Sequence, residues 1–193
     1  MMNPRKFVMA AAAFAAAITL SACSTGGSSD TPAPASSASA EATFNDADVI
    51  FAQMMIPHHE QAVEMSDMLL AKDGIAEQVR SLATQIKDAQ QPEIDQLNEW
   101  LDAWGADDSM GGMDHGMDGM MSEDDMKTLE DASGDDASKL FLEQMVVHHE
   151  GAVEMAETEI NDGVNPDAIE MAETIVSTQS EEINVMHNLL GSL

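Results

Sequence analysis

Tyrosine is missing from this 193-residue chain, and cysteine occurs once, at Cys23. A single thiol excludes an intrachain disulfide. Aromatic residues make up only 4% of the sequence. β-Branched residues are sparse and alternating apolar–polar stretches are hard to find, which argues against a sheet. Positive charge is scarcer still, with 7 Lys and Arg against 36 Asp and Glu and a net charge of −29. Phosphate contacts need cationic side chains, so nucleic-acid binding is excluded as a role. A Gly-x-Ser-x-Gly elbow and a Walker-type phosphate loop are both absent, which removes the usual motifs of hydrolysis and nucleotide chemistry.

What is present begins with an address. Arg5 and Lys6 precede an apolar run from Phe7 to Leu20, the build of a secretory signal peptide and too short for a membrane span. The run ends in Leu20-Ser21-Ala22-Cys23, which resembles a bacterial lipobox. That resemblance implies cleavage before Cys23 and lipidation of its thiol, giving a protein anchored to the cell membrane on the extracytoplasmic side. Loss of Arg5 and Lys6 would leave a net charge near −31, which attracts cations and repels anionic headgroups. Residues 23–43, rich in Ser, Ala, Pro and Gly, read as a flexible tether. Residues 44–193 are long enough for one domain with a substantial core.

In that domain Ala, Met, Leu, Glu and Gln dominate, all good helix formers. Four main helices are expected. The first runs from an Asn45 cap to about Ala71, and the second from after Gly74 to Trp104, kinked by Pro92. The third covers about Asp136 to Ile160, and the fourth Pro166 to about Leu190. Short turns follow the first and third, and residues 105–135 form one long crossover with a short helix over Ser122–Asp131. Hairpin, long crossover, hairpin is the connectivity of a ferritin-like four-helix bundle.

The most specific signal is a repeat. Residues 51–65 read FAQMMIPHHEQAVEM and residues 141–155 read FLEQMVVHHEGAVEM, 90 positions later. The similarity continues into the following helices, where Gln90, Glu93 and Ile94 match Gln179, Glu182 and Ile183 at a shift of 89. The all-α fold is therefore expected to consist of two duplicated hairpins. At about 100° per residue, Phe51, Met55, His58, Ala62 and Met65 share the buried stripe of the first helix. His59 falls on its edge. Phe141, Met145, His148, Ala152 and Met155 repeat the pattern, again with His149 on the edge. Gln90, Glu93, Gln179 and Glu182 also fall on buried stripes, where a carboxylate must be paired or bound to an ion. Two arrangements satisfy these residues. In one, His58 and His148 bond Glu93 and Glu182 in a polar network; in the other, the imidazoles ligate metal with the carboxylates and amides orienting them from behind.

The crossover supplies a second ligand set. Met110, Met113, His115, Met117, Met120 and Met121 lie in a glycine-rich segment whose apolar side chains are all methionine. Glycine prevents a helix here, so these methionines serve no amphipathic stripe. Thioethers with imidazole select Cu(I) over Zn(II), Mg(II) or Ca(II).

The paired motifs MMIPHHEQAVEM and MVVHHEGAVEM, each followed by a Gln-x-x-Glu-Ile helix, resemble the bacterial family called domain of unknown function 305. The resemblance covers nearly all of residues 45–190. It implies an exported, ferritin-like bundle, with an association of some members with copper, and it places the family motif on His58, His59, Met65, His148, His149 and Met155. No Glu-x-x-His pair lies on the inner stripes, unlike ferritin-like di-iron proteins, which argues against iron oxidation. The leading expectation is a lipid-anchored protein, not an enzyme, that sequesters or transfers Cu(I). A copper protein or membrane complex of the cell envelope would be its partner. A core metalloenzyme using His58, His148, Glu93 and Glu182, and an accessory lipoprotein without metal, are the alternatives.

Overall fold

The computed structural model describes residues 43–107 and 119–193. The expected leader, Cys23 and the tether up to residue 42 lie outside the described residues, as do Met110, Met113, His115 and Met117. Among the described residues there are five helices and no strand: α1 (Asp46–Leu70), α2 (Glu77–Trp104), α3 (Glu123–Asp131), α4 (Gly134–Asp162) and α5 (Pro166–Leu190). None is long and apolar enough to cross a membrane.

Local chemistry sets most of the ends. The Asn45 side chain accepts the N–H groups of Ala47 and Asp48 at 2.8 and 3.1 Å, while Asp48 accepts the Asn45 N–H, closing a capping box. Ser122 and Asp125 close a second one on α3. Pro166 opens α5, where its missing N–H leaves no helical bond unmade. Gly105 ends α2 at φ +67°, a conformation that suits glycine. Helix α2 starts later than expected, at Glu77, because Ala76 is extended and its N–H donates to Ser138 Oγ on α4 at 3.2 Å. The helix continues through the exposed Pro92, and α1 likewise contains Pro57.

Helix α1 packs chiefly along α2 and α4 along α5, while α1 and α4 meet across the centre and α3 lies on both. The result is a helical bundle with two apolar clusters. One gathers Met65, Leu69, Leu82, Ile86, Leu129, Phe141, Leu142 and Met186. The other gathers Phe51, Met55, Leu97, Leu101 and Ile175. Burying each such side chain contributes about 1.5–3 kcal/mol. On α1, Met55 belongs to one cluster and Met65 to the other, so the histidine pair between them sits in the seam.

Candidate metal centre

The seam is polar and closed to solvent. His58, His59, His148 and His149 all have zero exposure. The edge position expected for His59 and His149 is thus corrected: four packed helices bury the whole width of each His-His pair. The rings of His58 and His148 face each other with centroids 3.8 Å apart and planes tilted by 41°. The His148 and His149 centroids are 6.4 Å apart. Consecutive helical residues diverge by about 100°, so of each pair one histidine faces the opposite helix and the other turns toward its own hairpin partner.

That division decides where the carboxylates bind. His59 Nε2 meets Glu93 Oε2 at 2.8 Å, and His149 Nε2 meets Glu182 Oε2 at 2.7 Å. The expected network joined Glu93 and Glu182 to His58 and His148; the structure gives them the neighbouring histidines instead. Each carboxylate is about one-fifth exposed, so water shares its solvation and its burial costs little. A neutral imidazole that donates from Nε2 carries its lone pair on Nδ1. Nδ1 of His59 and of His149 is buried with no hydrogen-bond partner. This is the polarity of a carboxylate–histidine–metal triad, in which the acid fixes the tautomer and raises the basicity of the far nitrogen.

The electrostatics favour a neutral His148 ring. Burial first, then the neighbouring His58, His149 and His59, hold His148 well below the usual histidine value. A neutral ring keeps a lone pair for a ligand rather than a proton. Met55 and Met145, one helical turn before His58 and His148, are fully buried, as is Met65. Met155 is half-buried. Gln90 and Gln179 are nearly fully buried beside the layer, and both polar atoms of Gln90 and Oε1 of Gln179 are without hydrogen-bond partners.

Among the described residues no group of three or more His, Cys, Asp or Glu is arranged to hold an ion. An ion in the seam would therefore need thioethers alongside imidazoles, a donor set suited to a soft monovalent cation and poor for Zn(II) or Mg(II). Glu93 and Glu182 are engaged with histidine and stand behind the layer. At the end of the crossover, Met120 and Met121 are half-buried. The Met121 N–H donates to Gln61 Oε1 at 2.7 Å and its carbonyl accepts from Gln61 Nε2 at 2.9 Å, so this part of the crossover is pinned to α1.

Sequence reasoning missed a buried acid pair. Glu159 is 1% exposed and Asp48 fully buried. Burial, then Asp48 and Asp162, push the Glu159 carboxyl up to about 8. Burial alone would raise Asp48 too, but the Asn165 N–H, the Glu159 carboxyl and the N–H groups of Asn45 and Val164 hold it below its ordinary value. Asp48 was visible only as a first-turn acid. The available signal was that Glu159 stands 90 positions after Leu69, an acid where the repeat carries leucine.

A helical bundle with a buried layer of paired histidines defines a class that comparison with known proteins makes specific. The model of the family "Domain of unknown function (DUF305)" matches residues 48–190, and the chain belongs to that family. It is similar to a DUF305 protein of Streptomyces coelicolor described as a presumed secreted protein, with 34% identity over 76% of this chain and 93% of that one, and a TM-score of 0.71. A DUF305 fragment from Deinococcus radiodurans is 32% identical over 77% of this chain and 98% of the fragment, with a TM-score of 0.70. The protein CopM in its Cu(I)-bound form is 26% identical over 75% of this chain and 96% of its own, with a TM-score of 0.65. CopM structures in Cu(II)-bound, silver-bound and apo forms are similar as well. No curated protein matches the chain.

Proposed function

We propose that this protein binds Cu(I) outside the cytoplasm and sequesters it or hands it on, acting as a binding protein rather than an enzyme. The observation that carries this reading is the buried layer of His58, His59, His148 and His149, with Glu93 and Glu182 behind and Met55 and Met145 one turn away. Imidazoles and thioethers closed off from solvent match a soft monovalent ion. The solved Cu(I) and silver forms of CopM support the same class of cargo. Met110, Met113, His115, Met117, Met120 and Met121 would form a second ligand set that feeds the seam.

The fold belongs with this reading as a ferritin-like bundle built from two duplicated hairpins. Repeat-related residues make the same contacts in both halves, as His59–Glu93 and His149–Glu182 do. The leader and Cys23 would anchor the domain to the membrane through lipid, and the description of the Streptomyces coelicolor relative supports an extracytoplasmic place. The protein that receives the ion would be another copper protein or membrane complex of the envelope.

The test is an anaerobic Cu(I) titration against a competing chelator. Wild-type protein should outcompete it, and His58→Ala with His148→Ala should lose the tight site. Replacement of Met113, His115 and Met117 by Ala should slow or weaken loading while leaving the inner site. A wild-type protein that takes up no Cu(I) would overturn the proposal.

A further inference from the structure

The bundle has two grooves between α1 and α4, and among the described residues a helix fills only one. Helix α3 lies in the first, with Leu129 fully buried in the apolar cluster that also holds Met65, Leu69 and Phe141. Three polar contacts fasten this segment: Gln61 to the Met121 backbone, Gln144 Nε2 to the Asp125 carbonyl at 3.0 Å, and Lys72 Nζ to the Glu130 carbonyl at 2.6 Å. A shift of 90 residues converts that groove into the second. Gln61 becomes Gly151, Leu69 becomes Glu159, Lys72 becomes Asp162, Phe141 becomes Phe51 and Gln144 becomes Met54. Those five residues line a cavity of about 310 Å³ at the other end of the same interface. Ile50 on its rim is 46% exposed, whereas its counterpart Leu140 is half-buried.

The second groove thus has the shape of a helix seat with its chemistry changed. Leu69, which shares an apolar cluster with Leu129, is replaced by a carboxyl, and Lys72, bonded at the end of α3, by an aspartate. Glu159 is 99% buried, and neither of its oxygens meets the geometry of a hydrogen bond, although it lies against Asp48. A buried carboxyl of this kind keeps its own proton until a positive partner is set against it. Among the described residues every Lys and Arg is already engaged elsewhere. Lys72 and Arg80 are bonded to backbone carbonyls, and Lys87, Lys127 and Lys139 pair with Asp67, Asp131 and Glu143.

We propose that the Phe51–Met54–Glu159 groove is a docking site for an amphipathic helix of a partner protein, which buries an apolar face there and sets a lysine or arginine against Glu159 and Asp162. No histidine of the seam lines the groove, and of the residues matching the family motif only the half-buried Met155 does.

The probe is a labelled synthetic peptide with the sequence of residues 119–133, carrying Leu129→Lys and with Glu123, Asp124 and Glu130 replaced by their amides. A second peptide keeps Leu129. Fluorescence anisotropy should show the lysine peptide binding the wild-type protein. Its affinity should fall at least about tenfold, the equivalent of about 1.4 kcal/mol, in Glu159→Leu and in the surface variant Asp162→Lys. Glu159→Leu should also reverse the preference in favour of the leucine peptide. Failure of the lysine peptide to bind wild type, or equal binding to both variants, overturns the proposal. So does binding that appears only after Met110, Met113 and Met117 are changed to Ser, since the chain's own crossover would then cover the groove.

Discussion

The N-terminal half (α1 and α2) and the C-terminal half (α4 and α5) agree at the centre of the bundle and differ at its ends. Near the middle, Phe51 matches Phe141, Met55 matches Met145, and each half contributes a buried His-His pair with one carboxylate behind it. Toward the ends the matched positions diverge. Leu69 faces the filled groove where Glu159 faces the open one. Ser138 accepts the Ala76 N–H, while its counterpart Asp48 accepts the N–H groups of Val164 and Asn165 at 3.1 and 2.9 Å. Shared positions therefore mark the buried layer both halves build together, and divergent positions mark where the two ends differ.

The largest effects should come from breaking the shared layer. Removing both His58 and His148 should reduce Cu(I) affinity by more than about 100-fold, beyond the loss expected for an orienting partner. Competition titration under reducing conditions checks this. Glu93→Gln and Glu182→Gln should each cost about 10–100-fold, because the amide supports the histidine tautomer less well. The two should cost similar amounts if the halves are equivalent. A tenfold disparity would show that one half holds the ion and the other only packs.

Stability measurements sharpen the contrast at the ends. Leu69→Ala should destabilise by about 2–5 kcal/mol, as a buried leucine truncated against a packed helix, measured by urea denaturation. Glu159→Leu should act in the opposite direction and in a pH-dependent way. The carboxyl titrates near 8 in the folded chain and near its ordinary 4.5 when unfolded. Between those values the folded state holds the extra proton, so wild-type stability falls as pH rises from about 4.5 to 8. The thermal midpoint of Glu159→Leu should decline less across that window, and a parallel decline would show that Glu159 is not the titrating group.

The smallest effect concerns helix entry. Asn45 caps α1 with its side chain, whereas Ser133 before α4 makes no side-chain cap bond. Asn45→Ala should cost about 1 kcal/mol, and Ser133→Ala should stay within about 0.5 kcal/mol. Equal costs in paired denaturation curves would contradict the assignment of the caps.

Much of this architecture is legible in the sequence because local signals and burial agree. Asn45, Ser122, Pro166 and Gly105 mark helix ends through their own backbone chemistry, and the 90-residue repeat identifies the histidine layer. Partner choice within the layer is not legible. Helical phase separates His58 from His59 by about 100°, but only the packing of α2 decides which one Glu93 reaches. Phase also misplaces His59 and His149 at an edge, since it treats each helix as having a single buried side. The acid pair escapes for a related reason: Asp48 and Glu159 are ordinary solvent-facing acids until α1 and α4 bring them together from 111 positions apart.

The central claim is that buried imidazoles and thioethers together hold a soft monovalent ion. X-ray absorption at the copper edge of the anaerobically loaded full chain tests it most directly, with the crossover methionines Met110, Met113, Met117, Met120 and Met121 and His115 replaced so that only the seam reports. The account predicts Cu(I) with mixed nitrogen and sulfur neighbours, abolished by His58→Ala with His148→Ala. Copper surrounded by oxygen alone, or a seam that retains no copper, would contradict it.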